Sequence, residues 1–243
     1  MTEILCMPNL PKGRVRRILI GKKYAELRQP LKDLGIETML MPDIPEVDKR
    51  LSGHVDLAAL PIGGKILLGG RAGEAVRSKL ENLGFATEII PLSGGKYPLD
   101  ACLNACVMGE HIIHNREISL INKSDNFINV RQGYSKCNVC PVTEHALITS
   151  DPGIAKVCTA AGLDVLKISE GHIALPGIDT GFIGGSAFKI SSDCIAFTGS
   201  LARHPDCGGI TEFLRNYGIK PIDLTDGPAF DIGSAVLLTE EGN

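Results

Sequence analysis

GEAVRSKLENLGFATEIIPL, Gly73 to Leu92, reads as a helix that stops at a glycine and runs directly into a strand. Val76, Leu80 and Leu83 recur at the three- and four-residue spacing of one helix face, and the apolar residues after Gly84 follow a strand pattern. A glycine at that junction suits the left-handed residue that closes many helices. The same punctuation appears at AELRQPLKDLGIETMLMP (Ala25 to Pro42), GIAKVCTAAGLDVLKIS (Gly153 to Ser169) and GITEFLRNYGIKPIDLT (Gly209 to Thr225). The closing glycines are Gly35, Gly84, Gly162 and Gly218. A degenerate copy at EISLINKSDNFINVRQG (Glu117 to Gly133) fills the long gap, giving a period of about 46 residues.

Strand pairs lie between the helical copies. They are HVDLAALPIGGKILLG (His54 to Gly69), DACLNACVMGEHIIHN (Asp100 to Asn115), KCNVCPVTEHALITS (Lys136 to Ser150) and TGFIGGSAFKISSDCIAFTG (Thr180 to Gly199). DIGSAVLLTE (Asp231 to Glu240) is a truncated fifth. The unit is therefore ββαβ, repeated about five times, with no Ser/Gly/Pro linker between copies. Such units cannot bury a sheet face alone, but they can in a ring with inner strands around a central channel and helices outside. The expectation is an α/β fold, a five-bladed pseudo-symmetric ββαβ propeller, formed by residues 1–243 as a single domain.

The chain has 243 residues, 44% of them hydrophobic, a net charge of −3, eight cysteines and no tryptophan. That composition excludes a disordered tail and a small disulfide scaffold. The slight negative charge argues against nucleic acid as the main partner. No apolar run approaches the roughly 20 residues of a spanning helix, so no membrane partner is expected. The first residues lack the order of a signal peptide, because Lys12, Arg14, Arg16 and Arg17 follow the apolar positions. A cytoplasmic protein with reduced thiols is the expectation.

The repeat, together with QGYSKCNVC (Gln132 to Cys140), GFIGGS (Gly181 to Ser186), HPD (His204 to Asp206) and DIGS (Asp231 to Ser234), resembles the pentein superfamily of guanidino-group-modifying enzymes, and within it a bacterial branch of unknown function. The resemblance implies a five-bladed propeller with a small-molecule ligand in its channel and no cofactor. Its catalytic members use carboxylates to grip a planar guanidinium, a histidine in an HxD or HxE element, and a cysteine after a Gly-rich turn of the last blade. Carried over in linear order the pattern fails: Leu237 stands at the cysteine position and Gly177 at the histidine position, although Asp179 and Thr180 remain.

A ring of similar blades allows the site to be rotated. His54-Val55-Asp56 supplies an HxD element and GYSKC (Gly133 to Cys137) resembles the cysteine turn, about two periods later. Cys137 is then the nucleophile, His54 the acid/base and Asp56 the orienting carboxylate. Asp100, Asn104, Lys136, Asp179, Asp231 and the turn glycines Gly184 and Gly185 are the expected substrate-side residues. HVD opens a strand, so alternation puts His54 and Asp56 on one face, and likewise Asn104 with Cys102 and Cys106. Lys136 and Cys137 would point apart unless a turn intervenes; if one does, the ammonium would favour the thiolate.

Plainer readings stand beside these. His54 and Asp56 also suit a capped turn after Gly53. Cys137 and Cys140 also suit packed thiols or a metal pair, although one CxxC supplies only half of a structural zinc site, and no metal is expected. GFIGGS lacks the GxGxxG spacing of a dinucleotide loop, and its glycines suit close backbone approach in a tight turn. An enzyme acting on a guanidine- or amidine-type C–N group and a non-catalytic ring that binds a ligand or a protein both remain open.

Overall fold

In a computed structural model, which describes residues 2–92, 95–121 and 126–242, the strands form five separate sheets. The first blade holds β1 (Thr2–Ile4), β2 (Val15–Gly21) and β3 (Glu37–Met41), with α1 (Arg28–Asp33) between the last two. The second holds β4 (Ala59–Ile62), β5 (Lys65–Gly69), α2 (Gly70–Asn82) and β6 (Ala86–Ile90). The third holds β7 (Cys106–Met108), β8 (His111–His114) and β9 (Phe127–Asn129). The short helix α3 (Ser135–Asn138) opens the fourth, followed by β10 (Cys140–Pro141), β11 (Ala146–Thr149), α4 (Pro152–Ala160) and β12 (Asp164–Lys167). A second short helix, α5 (Ile183–Ser186), opens the fifth, followed by β13 (Ala187–Ser191), β14 (Cys194–Phe197), α6 (Cys207–Asn216) and β15 (Lys220–Asp223). The last strand, β16 (Val236–Glu241), returns to the first blade.

In each blade the inner strand pairs antiparallel with the middle strand and the middle strand parallel with the outer one, and four of the five blades show the helix of the expected ββαβ unit among the described residues. A parallel neighbour requires a crossover, and α1, α2, α4 and α6 provide it. Middle strands are enclosed on both faces: Ile66, Leu67 and Leu68, like Ile195, Ala196 and Phe197, are buried. This explains their continuous apolar runs.

The elements start and stop for local reasons. Asp151 caps α4 by accepting the Ile154 N–H at 2.8 Å, and Pro152 occupies the first turn, where its missing N–H costs nothing. Gly35, Gly84, Gly162 and Gly218 all have positive φ, from +68° to +92°, so each helix ends at the residue best able to reverse the chain. α2 buries Ala72, Gly73, Val76 and Leu80 on one face. The degenerate copy departs from this pattern: residues 122–125 lie outside the described residues, but β9 runs parallel to β8 as an outer strand should.

Two differences from the sequence reading matter for the axis. The HVD segment is a single 3-10 turn, Val55–Leu57, ahead of β4 and not its first strand residues. The truncated fifth pair is completed from the other end of the chain, because β16 lies between β1 and β2 and pairs antiparallel with both.

Gly162 has φ +87°, and a Cβ placed there would meet nothing within 4 Å, so Gly162→Ala costs only backbone strain, about 1–2 kcal/mol. Leu80→Ala, at a fully buried position, costs about 2–5 kcal/mol. Urea denaturation should rank the two variants in that order.

Candidate functional site

In every blade the chain makes a short connector just before its inner strand, and the five connectors meet on the propeller axis. They carry His54 and Asp56, Asp100 and Asn104, Lys136 and Cys137, Gly184 and Gly185, and Asp231 and Ser234. The approach is close. A Cβ on Gly185 would fall 1.9 Å from Asp231 Oδ1, and one on Gly233 (φ +68°) would fall 2.4 Å from His54 Cα. These positions are compatible only with glycine.

Cys137 sits in α3, where Asn104 holds it. The Asn104 side-chain oxygen accepts from the backbone N–H of Lys136 at 2.8 Å and of Cys137 at 3.2 Å, while its Nδ2 donates to the Cys137 sulfur at 3.4 Å. The thiol donates to Asp56 Oδ2 at 2.9 Å. His54, Asp56 and Cys137 each offer a heteroatom within 4.8 Å of the others. The structure thus brings together the three residues expected to form the centre.

Asp231 joins them from the connector ahead of β16. Its carboxylate accepts the Phe182 N–H at 2.9 Å and the Gly233 N–H at 2.8 Å, and its Oδ1 lies 3.8 Å from His54 Nδ1. That separation is too long for a hydrogen bond. His54 Nε2 and Asp56 Oδ1 are buried and have no hydrogen-bond partner among the described residues, so two polar atoms of the cluster are left unsatisfied.

Burial sets the protonation states. The Asp56 carboxyl rises from its usual 3.8 to about 7, chiefly through desolvation; the Cys137 hydrogen bond and the Lys136 charge oppose the rise, and the Asp231 charge adds to it. Burial, followed by the charges of Asp56 and Asp231, pushes the Cys137 thiol well above its usual range. Burial pulls His54 below its usual value, against the attraction of Asp231. The resting site is therefore a neutral thiol and a neutral imidazole beside two acidic groups.

Lys136 does not act on the thiol as expected. A turn does intervene, but the side chain leaves in another direction: Nζ donates to Ser234 Oγ at 2.7 Å and to the Gly184 carbonyl at 3.4 Å. Nor do Gly184 and Gly185 line an open space; they pack against Val139, Lys136 and Asp231. Asp100 is buried behind Tyr134, whose hydroxyl donates to it at 2.8 Å. Asp179 is exposed, between two residues, Ile178 and Thr180, that face inward. At the positions of the linear carry-over, Leu237 is buried in β16 and Gly177 lies in an exposed loop.

A cavity of about 120 Å³ opens over the cluster, lined by His54, Cys137 and Asp231 together with Leu51, Leu57, Tyr134, Leu175, Ile178, Thr180 and Phe182. Behind the cluster, Asp56 and Lys136 border a recess of about 20 Å³ with Asn9 and Leu237, room for about one water. Tyr134 lies within the GYSKC stretch and Ser234 within DIGS, yet neither is singled out by chemistry-bearing type. The apolar lining comes from three segments far apart in the chain and carries no local signature.

The same three residues form an N, O and S donor set of the kind that holds zinc with an open position. Cys140 is not in that set; it is buried on β10, so the CxxC pair does not converge. No helix is long and apolar enough to cross a membrane among the described residues.

The model of a family described as "Family of unknown function (DUF6873)" matches residues 19–236. No curated protein matches the chain. Among solved structures, C. jejuni agmatine deiminase with substrate bound superposes with a TM-score of 0.58 at 11% identity, covering 99% of this chain and 97% of that one. An inosamine-phosphate amidinotransferase from Streptomyces griseus gives 0.57 at 9%, covering 100% and 98%. DDAH from Pseudomonas aeruginosa, complexed with citrulline, gives 0.52 at 8%, covering 86% and 92%. These likenesses show the pentein fold.

The raised Asp56 value has a measurable consequence. Its folded value of about 7 exceeds the usual 3.8, so the folded state holds a proton that the unfolded chain releases. The stability this provides is complete below about pH 4 and is lost as pH rises through about 7. Asn cannot ionise. The Tm of Asp56→Asn relative to the parent should therefore be higher at pH 8 than at pH 5, a comparison that thermal scans at the two pH values make directly.

Proposed function

The chain belongs to that family, and from the geometry on its axis we propose that it is a cysteine-dependent hydrolase or transferase acting on a guanidine- or amidine-type C–N bond. The observation that carries this reading is the convergence of Cys137, His54 and Asp56 within 4.8 Å, with Cys137 and His54 lining the cavity. Asp231 adds a second carboxylate, near enough for its charge to act on Asp56. Two acidic groups in the cluster, Asp231 on the cavity floor and Asp56 behind it, and no lysine or arginine among the described lining residues favour a planar cationic head.

A bound cation also changes the site's chemistry. Its charge offsets the two carboxylates that hold the thiol neutral, so the thiolate becomes accessible only with substrate present. The Cys137 proton passes to neutral His54, and the sulfur attacks the amidinium carbon. The imidazolium then returns the proton to the departing amine as the C–N bond breaks, leaving an amidino group on sulfur. Water deprotonated by His54, or an acceptor amine, attacks the same carbon and expels the sulfur. The thiols and the lack of a spanning helix among the described residues suit the cytoplasm, where we place the reaction.

A second reading has its own support. Burial and two acidic neighbours hold Cys137 protonated, which suits a non-catalytic ring that only binds its ligand.

Turnover decides between them. With simple alkylguanidines and amidines, release of ammonia or amine should fall by about a thousandfold or more in Cys137→Ala, and mass spectrometry should find the amidino adduct on Cys137 in the parent. Turnover that survives the substitution rejects the assigned nucleophile, and binding without turnover supports the binding ring. The free protein's kcat/KM should fall as pH drops below about 7, where Asp56 takes up its proton, and Asp56→Asn should abolish that limb.

A further inference from the structure

The floor of the cavity is polar and its walls are not. Above His54, Cys137 and Asp231 rise Leu51, Leu57, Leu175, Ile178, Phe182 and the ring of Tyr134. No lysine or arginine is among the described lining residues, and Thr180 alone adds a small hydroxyl. A ligand entering with a cationic head therefore leaves its remaining atoms against hydrocarbon.

The cations bordering the wall are already engaged. Arg50, next to Leu51, donates through Nε and Nη2 to Asp48 at 3.0 and 2.7 Å, and through Nη1 to the Gly177 carbonyl at 2.9 Å. All three guanidinium nitrogens are engaged within the protein, tying the two wall segments around Leu51 and Leu175–Ile178 together. Lys23 is turned to the Arg50 carbonyl at 3.1 Å. Arg50 is neutralised by Asp48 and Lys23 stands outside the lining, so a substrate carboxylate would find no counter-charge on the cavity wall, and one desolvated against leucine and phenylalanine is strongly disfavoured.

The space is also small. About 120 Å³ is close to the roughly 150 Å³ apolar cavity that takes one benzene. A head group and a short tail fill it.

We propose that this site takes compact guanidines or amidines with an uncharged, apolar tail, and rejects amino-acid guanidines whose tail carries a carboxylate. The proposal rests on the reaction class above and narrows its substrate. The six wall residues determine specificity; the floor residues grip the head common to all guanidines.

A matched series isolates the tail. Butylguanidine, agmatine and L-arginine share the same run of methylenes and differ only in what ends it. Calorimetric binding is measured on Cys137→Ala, which removes chemistry, and turnover on the parent. Butylguanidine should bind at least about tenfold more tightly than either charged analogue. Ile178→Arg, at a half-buried wall position, should shift the preference toward L-arginine by giving its carboxylate a partner. L-Arginine binding as tightly as butylguanidine overturns the proposal, as does binding of neither, or an unchanged preference in folded Ile178→Arg. Butylguanidine binding with no turnover in the parent leaves the proposal intact and overturns the reaction class. Turnover of L-arginine in preference to butylguanidine does the reverse.

Discussion

The pairing of β16 with β2 is the constraint on which the axis depends. It completes the first blade from the two ends of the chain and fixes residues 231–235 just ahead of β16. From there Asp231 faces His54, Ser234 takes the Lys136 ammonium, and Gly233 lets the His54 backbone approach closely. Without that pairing the connectors of the second, fourth and fifth blades would lose their common neighbour. The buried Lys136 would also lose one of its two acceptors, and such an unmatched charge is among the costliest defects a core can hold.

The axis is electrostatically unfinished. Asp56 and Asp231 are buried with a single enclosed ammonium between connectors, and His54 is held neutral. Asp56 responds by taking a value near 7, and Cys137 by keeping its proton. A centre tuned this way is less stable than a neutral one of the same shape, a cost commonly retained where a site must receive a ligand. The unpartnered His54 Nε2 and Asp56 Oδ1 mark the same deficit in hydrogen bonds.

Much of the fold was legible because its signals are local. Helix, glycine and strand follow one another within about twenty residues, and a positive φ at Gly35, Gly84, Gly162 and Gly218 is a demand of the backbone at that point. His54, Asp56 and Cys137 were legible through short motifs whose residue types carry chemistry. What escaped was set by distance in sequence. The junction of β16 with β2 joins opposite ends of the chain. The 3-10 turn at Val55–Leu57 replaces a strand because it sits at the crowded axis and not in the sheet. Lys136 neighbours Cys137 in sequence, whereas its partner, Ser234, is 98 residues away. The cavity wall draws Leu57, Tyr134 and Leu175 from three separate segments, and each alone reads as ordinary core.

Thr2 lies opposite Glu241 in the first sheet, so the two ends of the chain are neighbours across a ladder. A ring with adjacent ends has no privileged starting blade: opening it at an outer turn of another blade and joining the present ends would preserve the sheets and leave the connectors on the axis uncut. Motif order along such a chain is then a matter of where the circle was cut. Leu237 and Gly177 occupy the expected positions only under one choice of origin, and His54 with Cys137 under another. Comparisons among such rings are better made by blade position around the circle than by distance from the first residue.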